Sequence, residues 1–150
     1  MDEKEAYDYS EVLHTDYLRI LGQCSALVPG ARTLLENIKA RGLKIGVLSN
    51  GFKEVQFDKL RSGGVLDMID CIVLSDEIDI NKPDRRIFDY ALQKAGTTAE
   101  HSIMIGDNPD TDIKGALNAG WRAVFFNRNN LPIEFGEDVT TVNDLRDIIA

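Results

Sequence analysis

The chain contains 150 residues, of which 43% are hydrophobic and 28% are charged, and its net charge is −8 at pH 7. This length and composition are typical of one globular domain with a single packed core. The acidic balance excludes non-specific binding to nucleic acid, which needs clustered lysines and arginines, and no apolar stretch is long enough to span a bilayer. We therefore expect neither a nucleic-acid nor a membrane partner.

The first residues and the cysteines bear on the compartment. Residues 1–5 are acidic overall and no apolar signal-peptide core follows them, so a cytoplasmic protein is expected. Cys24 and Cys71 lack the spacing of a zinc site or a disulfide framework. Both are predicted to be small buried side chains.

The first predicted element is a helix over residues 10–21, in which Val12, Leu13 and Leu18 are among the apolar residues. No predicted strand precedes this helix. An α/β domain that begins with a helix has lost its first strand or carries an insertion at this point.

Four apolar runs of strand length follow. Each run is continuously apolar rather than alternating, which is typical of parallel strands in a sheet with helices on both faces. The predicted strands cover residues 45–48, 71–74, 103–105 and 123–126. The fold class is therefore predicted to be α/β.

Amphipathic segments before, between and after these strands predict helices. Pro29 and Gly30 open the first, and the basic Lys39 and Arg41 suit its C-terminal end. The others cover residues 52–61, 84–94, 111–118 and 143–149. A glycine follows the helix opened by Pro29 and Gly30 and each of the next three helices; these glycines are Gly42, Gly63, Gly96 and Gly120.

The first polar segment at a strand end is Ser49-Asn50-Gly51. Open α/β sheets bind ligands at the carboxyl ends of their strands. A hydroxyl, an amide and a glycine just before a helix suit a phosphate group. The alternative is that Ser49 and Asn50 only cap the following helix.

The second segment contains Lys82 and Pro83 before the helix at residues 84–94. A lysine held next to a proline can present a positive charge to a phosphate or carboxylate. The alternative is a solvated lysine in a turn, with Pro83 serving only to start the helix.

The third segment places Asp107, Asp110 and Asp112 directly after the strand at residues 103–105. Clustered carboxylates suit Mg²⁺, which prefers oxygen ligands. Alternatively, Asp110 or Thr111 caps the next helix and Asp112 lies in its first turn. Both explanations can hold for different residues.

In chain order, S-N-G after a strand, K-P before a helix and G-D-x-x-x-x-D after a strand resemble motifs II, III and IV of the haloacid dehalogenase superfamily. The resemblance extends from about Pro29 to the end of the chain and includes the stretch DIKGALNAG. It implies a haloacid dehalogenase-like Rossmannoid fold, with a mostly parallel sheet and helices on both faces.

The resemblance also implies a role for each motif residue. Ser49 would donate a hydrogen bond to the transferred phosphoryl group, and Asn50 and Gly51 would shape its pocket. Lys82 would neutralise charge on the nucleophile and the phosphoryl oxygens. Asp107 would ligate Mg²⁺, and Asp112 would orient the surroundings of the metal through hydrogen bonds.

One family motif has no match. Motif I, D-x-D-x-T or D-x-D-x-V, supplies the aspartate nucleophile and a carboxylate that acts as acid and base, and the sequence does not contain it. Residues 1–28 resemble the C-terminal remnant of a helical cap, with residues 29–150 as the α/β core. The sheet is then expected to lack its central first strand, leaving a gap to be filled by exchange between copies or by a retained N-terminal fragment.

The resemblance implies Mg²⁺-dependent hydrolysis of a phosphate monoester through an aspartyl-phosphate in the intact parent protein, with a small phosphorylated metabolite as substrate. The printed chain is expected to be inactive alone. The residues Asn50, Gly51, Phe52 and Gln56 resemble the pyrimidine 5′-nucleotidase branch, which points to a nucleoside monophosphate. The carboxylates suited to a metal make the dehalogenase branch less expected.

The alternative function is a non-catalytic phosphate-binding or interaction domain.

Overall fold

The computed structural model of the protein describes residues 11–14, 29–50 and 53–148. Within these residues the chain forms one six-stranded sheet in the order β3-β2-β1-β4-β5-β6, and every neighbouring pair is parallel. The strands are β1 (Glu11–His14), β2 (Lys44–Ser49), β3 (Cys71–Leu74), β4 (Ser102–Gly106), β5 (Arg122–Phe126) and β6 (Val139–Val142).

The helices lie between the strands, as the sequence predicts. They are α1 (Ala31–Ala40), α2 (Lys53–Ser62), α3 (Ser75–Ile78), α4 (Arg85–Ala95) and α5 (Gly115–Asn118), the last preceded by a π-helical turn at Pro109–Lys114. Single 3₁₀ turns occur at Leu66–Met68, Ala99–His101 and Leu145–Asp147. Among the residues that the structure describes, no helix has the length and apolar character needed to cross a membrane.

Two hydrophobic clusters cover the two faces of the sheet. In β4, Ile103 and Ile105 pack into the cluster that contains α1, whereas Met104 packs into the cluster that contains α4. Successive side chains of a strand point to opposite faces, so a strand covered on both sides must be apolar at every position. This explains the continuous apolar runs and confirms the predicted α/β class.

The centre of the sheet differs from the expectation. Glu11–His14, which fall inside the predicted helix at residues 10–21, form β1 and pair with β2 on one side and β4 on the other. The expected gap is therefore not present, because this chain completes the pairing of β2 and β4. Buried N–H and C=O groups of two neighbouring strands require partners, and such tertiary pairing overrides a weak local helical pattern.

The rest of the predicted first helix lies outside the described residues. The same holds for most of the predicted cap remnant at residues 1–28, so that domain assignment stays a prediction. Cys24 is likewise outside, whereas Cys71 is half-buried rather than buried.

The C-terminal part also differs from the sequence prediction. A helix was expected at residues 143–149, but the structure has a single 3₁₀ turn there, which Asp144 caps by accepting a hydrogen bond from the Arg146 backbone N–H. The four-residue strand β6 before it was not predicted, although its two valines and two threonines are β-branched. The residue with a positive φ after α2 is Gly64, not the predicted Gly63.

Asp70 connects α1 to the strand β2 through its side chain. Its carboxylate accepts hydrogen bonds from the Lys39 ammonium at 2.7 Å and from the Ile45 backbone N–H at 2.7 Å. Partial burial raises the pKa of Asp70, but the hydrogen bonds from Lys39 and Ile45 outweigh it and hold this pKa below the usual 3.8. The charged form of Asp70 therefore stabilises the folded state.

Asp70→Asn is expected to lower the free energy of unfolding at pH 7 by about 1 kcal/mol, because water screens much of this half-exposed ion pair. A carboxyl whose pKa is lower in the folded state stabilises the protein above its unfolded pKa, and this contribution disappears as the pH falls through the folded pKa. Urea unfolding should therefore show the difference between parent and variant at pH 7 and its disappearance in acid. Asp58→Asn, at an exposed pair with Arg61, is the control, and a pH-independent difference for Asp70→Asn would contradict this account.

Candidate functional site

The three predicted segments lie at one edge of the structure. Ser49 is the last residue of β2 and is fully buried, and Asp107 directly follows β4 and is half-buried. The carboxyl ends of parallel strands lie at the same edge of a sheet, and β2 and β4 both flank β1. Lys82 reaches this edge from the loop before α4, where it contacts Asp112 and Asn50.

Lys82 and Asp112 form a buried ion pair. The Lys82 Nζ lies 2.6 Å from Asp112 Oδ1, and both side chains are 0% exposed. The alternative of a solvated lysine in a turn is therefore wrong for Lys82. Removing two charges from water is costly unless they pair closely, so the position of each group is tightly coupled to that of the other.

The backbone around Asp112 is built to hold its carboxylate. The Asn108 N–H donates to Asp112 Oδ2 at 3.1 Å. Gly106 lies so close that a Cβ on it would overlap the same oxygen. A side chain at position 106 would therefore displace the carboxylate, which explains the glycine before Asp107.

Asn108 is a site residue that the sequence analysis did not identify. Its Oδ1 accepts hydrogen bonds from the N–H groups of Asp110 and Thr111, at 2.9 and 3.0 Å, and so caps the π-helical turn. Neither Asp110 nor Thr111 is the cap. Asp110 instead points outward and pairs with Lys114 at 2.9 Å. An asparagine directly before a proline at the start of a helical turn was the available signal.

The loop that carries Lys82 is fixed from both sides. The Asn50 Oδ1 accepts from the Lys82 N–H at 2.8 Å, and the Asn50 Nδ2 donates to the Lys82 carbonyl at 3.3 Å. After the cis Lys82–Pro83 peptide, Asp84 caps α4 by accepting from the Arg86 N–H at 2.9 Å. The side chain of Arg86 lowers the pKa of Asp84 to about 2.

The carboxylates of the site suit Mg²⁺. The two oxygens of Asp112 accept hydrogen bonds from Lys82 and Asn108. Asp107 stays the direct ligand that the family resemblance implies. Across residues 11–14, 29–50 and 53–148, no group of three or more His, Cys, Asp or Glu side chains is arranged to hold a metal. Mg²⁺ commonly binds through one or two carboxylates and keeps water or substrate oxygens as its other ligands, so the residues present fit this metal.

The structure describes only some of the remaining predicted site residues. Gly51 and Phe52 lie outside the described residues, and Gln56 is described only as part of α2. The phosphate-binding role of Ser49 and Gly51 stays a prediction. For Asn50 the structure shows where its amide is bound, which is on Lys82.

A family model described as haloacid dehalogenase-like hydrolase matches residues 3–126. The chain is 34% identical over 119 residues to the pyrimidine 5′-nucleotidase YjjG of Escherichia coli, a match that covers 79% of this chain and 52% of that protein. It is 37% identical over 123 residues to the glyceraldehyde 3-phosphate phosphatase of Methanothermobacter thermautotrophicus, covering 78% of this chain and 54% of that protein. The chain thus spans about half the length of these relatives.

The fold is also similar to solved structures. The Bacillus subtilis protein YfnB, whose crystal structure is bound to magnesium, superposes with a TM-score of 0.74 at 27% sequence identity. The superposition covers 86% of this chain and 56% of YfnB.

Proposed function

Because this chain belongs to the haloacid dehalogenase-like hydrolase family, we propose that it binds a phosphate monoester at the carboxyl edge of its sheet and takes part in Mg²⁺-dependent hydrolysis of that ester. The observation that carries the proposal is the buried Lys82–Asp112 pair. A cation held without exposure to water, next to the ends of β2 and β4, is suited to stabilise negative charge on a reacting phosphoryl group.

The residues of the site have separate tasks in this proposal. The Ser49 hydroxyl donates a hydrogen bond to a phosphoryl oxygen, and the Lys82 ammonium neutralises charge on the phosphoryl oxygens. Asp112 holds that ammonium at 2.6 Å, and Asp107 holds Mg²⁺. When bound, Mg²⁺ stabilises negative charge on the transferred group.

The sequence offers no match for the nucleophilic aspartate of the family. No D-x-D-x-T or D-x-D-x-V occurs in the sequence, and the only D-x-D, Asp110 to Asp112, is engaged with Lys114 and Lys82. We therefore place the nucleophilic aspartate of the aspartyl-phosphate mechanism in a part of the protein outside these 150 residues. The lack of motif I also favours the second candidate function, a domain that binds phosphate without catalysis.

Phosphate binding tests both candidates. Isothermal titration with inorganic phosphate and Mg²⁺ is expected to show binding by the chain, and Lys82→Met should weaken it by about 10- to 100-fold because a charged hydrogen bond is lost. Lys114→Met removes an exposed lysine from the same region and is the matched control. Circular dichroism confirms that each variant is folded at the temperature used. No binding by the unaltered chain would refute both candidates.

Hydrolysis separates the two candidates. The chain alone is expected to give no turnover of p-nitrophenyl phosphate above background, because none of its site residues is a suitable nucleophile. A longer form that carries a motif I segment, whose strand would have to take the place of Glu11–His14 between β2 and β4, should show turnover if the enzyme proposal holds and none if the protein only binds phosphate. Turnover by the chain alone that Asp107→Asn abolishes would show that our account of the nucleophile is wrong.

The substrate proposed for the active protein is a nucleoside monophosphate. It is supported by the similarity of Asn50, Gly51, Phe52 and Gln56 to the nucleotidase branch and by the pyrimidine 5′-nucleotidase relative. A panel of phosphate monoesters is expected to give its highest kcat/KM for pyrimidine monophosphates. A higher value for glyceraldehyde 3-phosphate or another sugar phosphate would exclude this substrate.

A further inference from the structure

Asn50 binds the backbone of Lys82 through both ends of its side-chain amide. The carbonyl oxygen accepts from the Lys82 N–H at 2.8 Å, and the amide nitrogen donates to the Lys82 carbonyl at 3.3 Å, across 32 residues of sequence. A primary amide combines an acceptor and a donor on one planar group, whereas an ionised carboxylate only accepts. Asparagine is therefore suited to hold both backbone groups of one residue.

This contact determines where the lysine side chain starts. Lys82 is held at its ammonium by Asp112, 2.6 Å away, and at its backbone by Asn50. The four-carbon side chain between these two points is flexible in itself. Without the hydrogen bonds from Asn50, the loop that carries Lys82 is free to move. Such a movement would draw the ammonium away from Asp112 and change its distance from a bound phosphate.

We infer that Asn50 is a positioning residue for Lys82, acting on phosphate through that lysine and not through a side-chain contact with the phosphate itself. The inference rests on the proposed function for the identity of the ligand. It assigns the second residue of the S-N-G segment a task different from that of Ser49.

Asn127 offers a matched control within the same chain. Its Oδ1 accepts from the Leu131 N–H at 2.8 Å, and its Nδ2 donates to the Leu131 carbonyl at 3.0 Å. The arrangement repeats that of Asn50, but it holds a loop after β5 in which Lys82 takes no part. Asn127→Ala should thus lose a comparable pair of hydrogen bonds while leaving phosphate binding within about twofold of the parent.

Phosphate affinity is measured by titration with inorganic phosphate and Mg²⁺ in a double-mutant cycle. Asn50→Ala is expected to weaken phosphate binding by about tenfold, because removing a residue that orients a binding side chain commonly has an effect of this size. In the Lys82→Met background the same substitution should have less than a twofold effect, because the residue through which it acts is gone. An equal loss in both backgrounds would show that Asn50 contacts the phosphate directly and would overturn the inference.

The ammonium of Lys82 gives a readout that does not depend on phosphate. In the nitrogen-detected NMR spectrum of the lysine ammonium groups, the buried Lys82 signal is assigned by its loss in Lys82→Met. Asn50→Ala should shift or broaden this signal, and Asn127→Ala should not. Asn50→Asp, which keeps the bond to the Lys82 N–H and loses the one to its carbonyl, should give an intermediate change and serves if the alanine variant does not fold.

The two readouts distinguish the failure of the inference from that of the proposed function. If the parent chain binds no phosphate but Asn50→Ala changes the Lys82 signal, the proposed function is refuted. Asn50 is then still the residue that positions Lys82. An unchanged Lys82 signal in both Asn50 variants would refute the inference, whatever the affinity for phosphate.

Discussion

Asp112→Ala is expected to lower the free energy of unfolding by about 3–5 kcal/mol, because it leaves the Lys82 charge buried without its partner. The Lys82 Nζ lies 2.6 Å from Asp112 Oδ1, and both side chains are 0% exposed. The substitution also removes the acceptor of the Asn108 N–H. Urea unfolding followed by circular dichroism measures the loss.

A second lysine and aspartate pair in the same region provides the control. Lys114 and Asp110 pair at 2.9 Å with side chains that are 61% and 74% exposed, so Asp110→Ala should change the free energy of unfolding by less than about 1 kcal/mol. The double variant Lys82→Met with Asp112→Asn removes both buried charges and keeps an acceptor for the Asn108 N–H. It should be more stable than Asp112→Ala, and a double variant at least as unstable would contradict the explanation by an unpaired charge.

Lys82→Ala and Asp107→Ala are each expected to lower kcat/KM by about 10²–10³ in a form of the protein that carries the motif I segment, since each removes a group placed to stabilise charge in the transition state. Ser49→Ala should cost less, because it removes one neutral hydrogen bond. Steady-state hydrolysis of the preferred monoester measures all three effects.

Asp110→Ala is the matched control for Asp107→Ala. Both residues follow β4, but Asp110 is exposed and paired with Lys114, so its removal should leave kcat/KM within about twofold of the parent. A near-normal rate for Lys82→Ala would refute its assignment to motif III. A rate for Asp107→Ala that no longer responds to Mg²⁺ would support Asp107 as the residue that holds the metal.

Local patterns were sufficient for the elements that are covered on both sides of the sheet. Residues 45–48 and 103–105 are apolar at every position, and they lie within the central strands β2 and β4. The C-terminal cap of α4 at Gly96 was also readable, because its φ of 73° favours glycine. In both cases the residue type itself reflects the structural requirement.

Short elements held only by their neighbours were not predictable. Glu11–His14 has no pattern that distinguishes a strand from a helix, and its pairing with β2 and β4 places it at the centre of the sheet. The strand β6 and the 3₁₀ turn at Leu145–Asp147 belong to the same class. Propensity over four residues is weaker than the hydrogen bonds that a neighbouring strand supplies.

The sequence by itself determined the α/β class, the family resemblance and the identity and order of Ser49, Lys82, Asp107 and Asp112. Only the tertiary structure decided that Lys82 is buried against Asp112 and that the amide of Asn50 is bound to the Lys82 backbone. These contacts join residues 30 and 32 positions apart. These contacts depend on the register of β2 and β4 against β1 and on the position of the loop before α4. The residues that flank each contact in the sequence do not encode that register or that loop position.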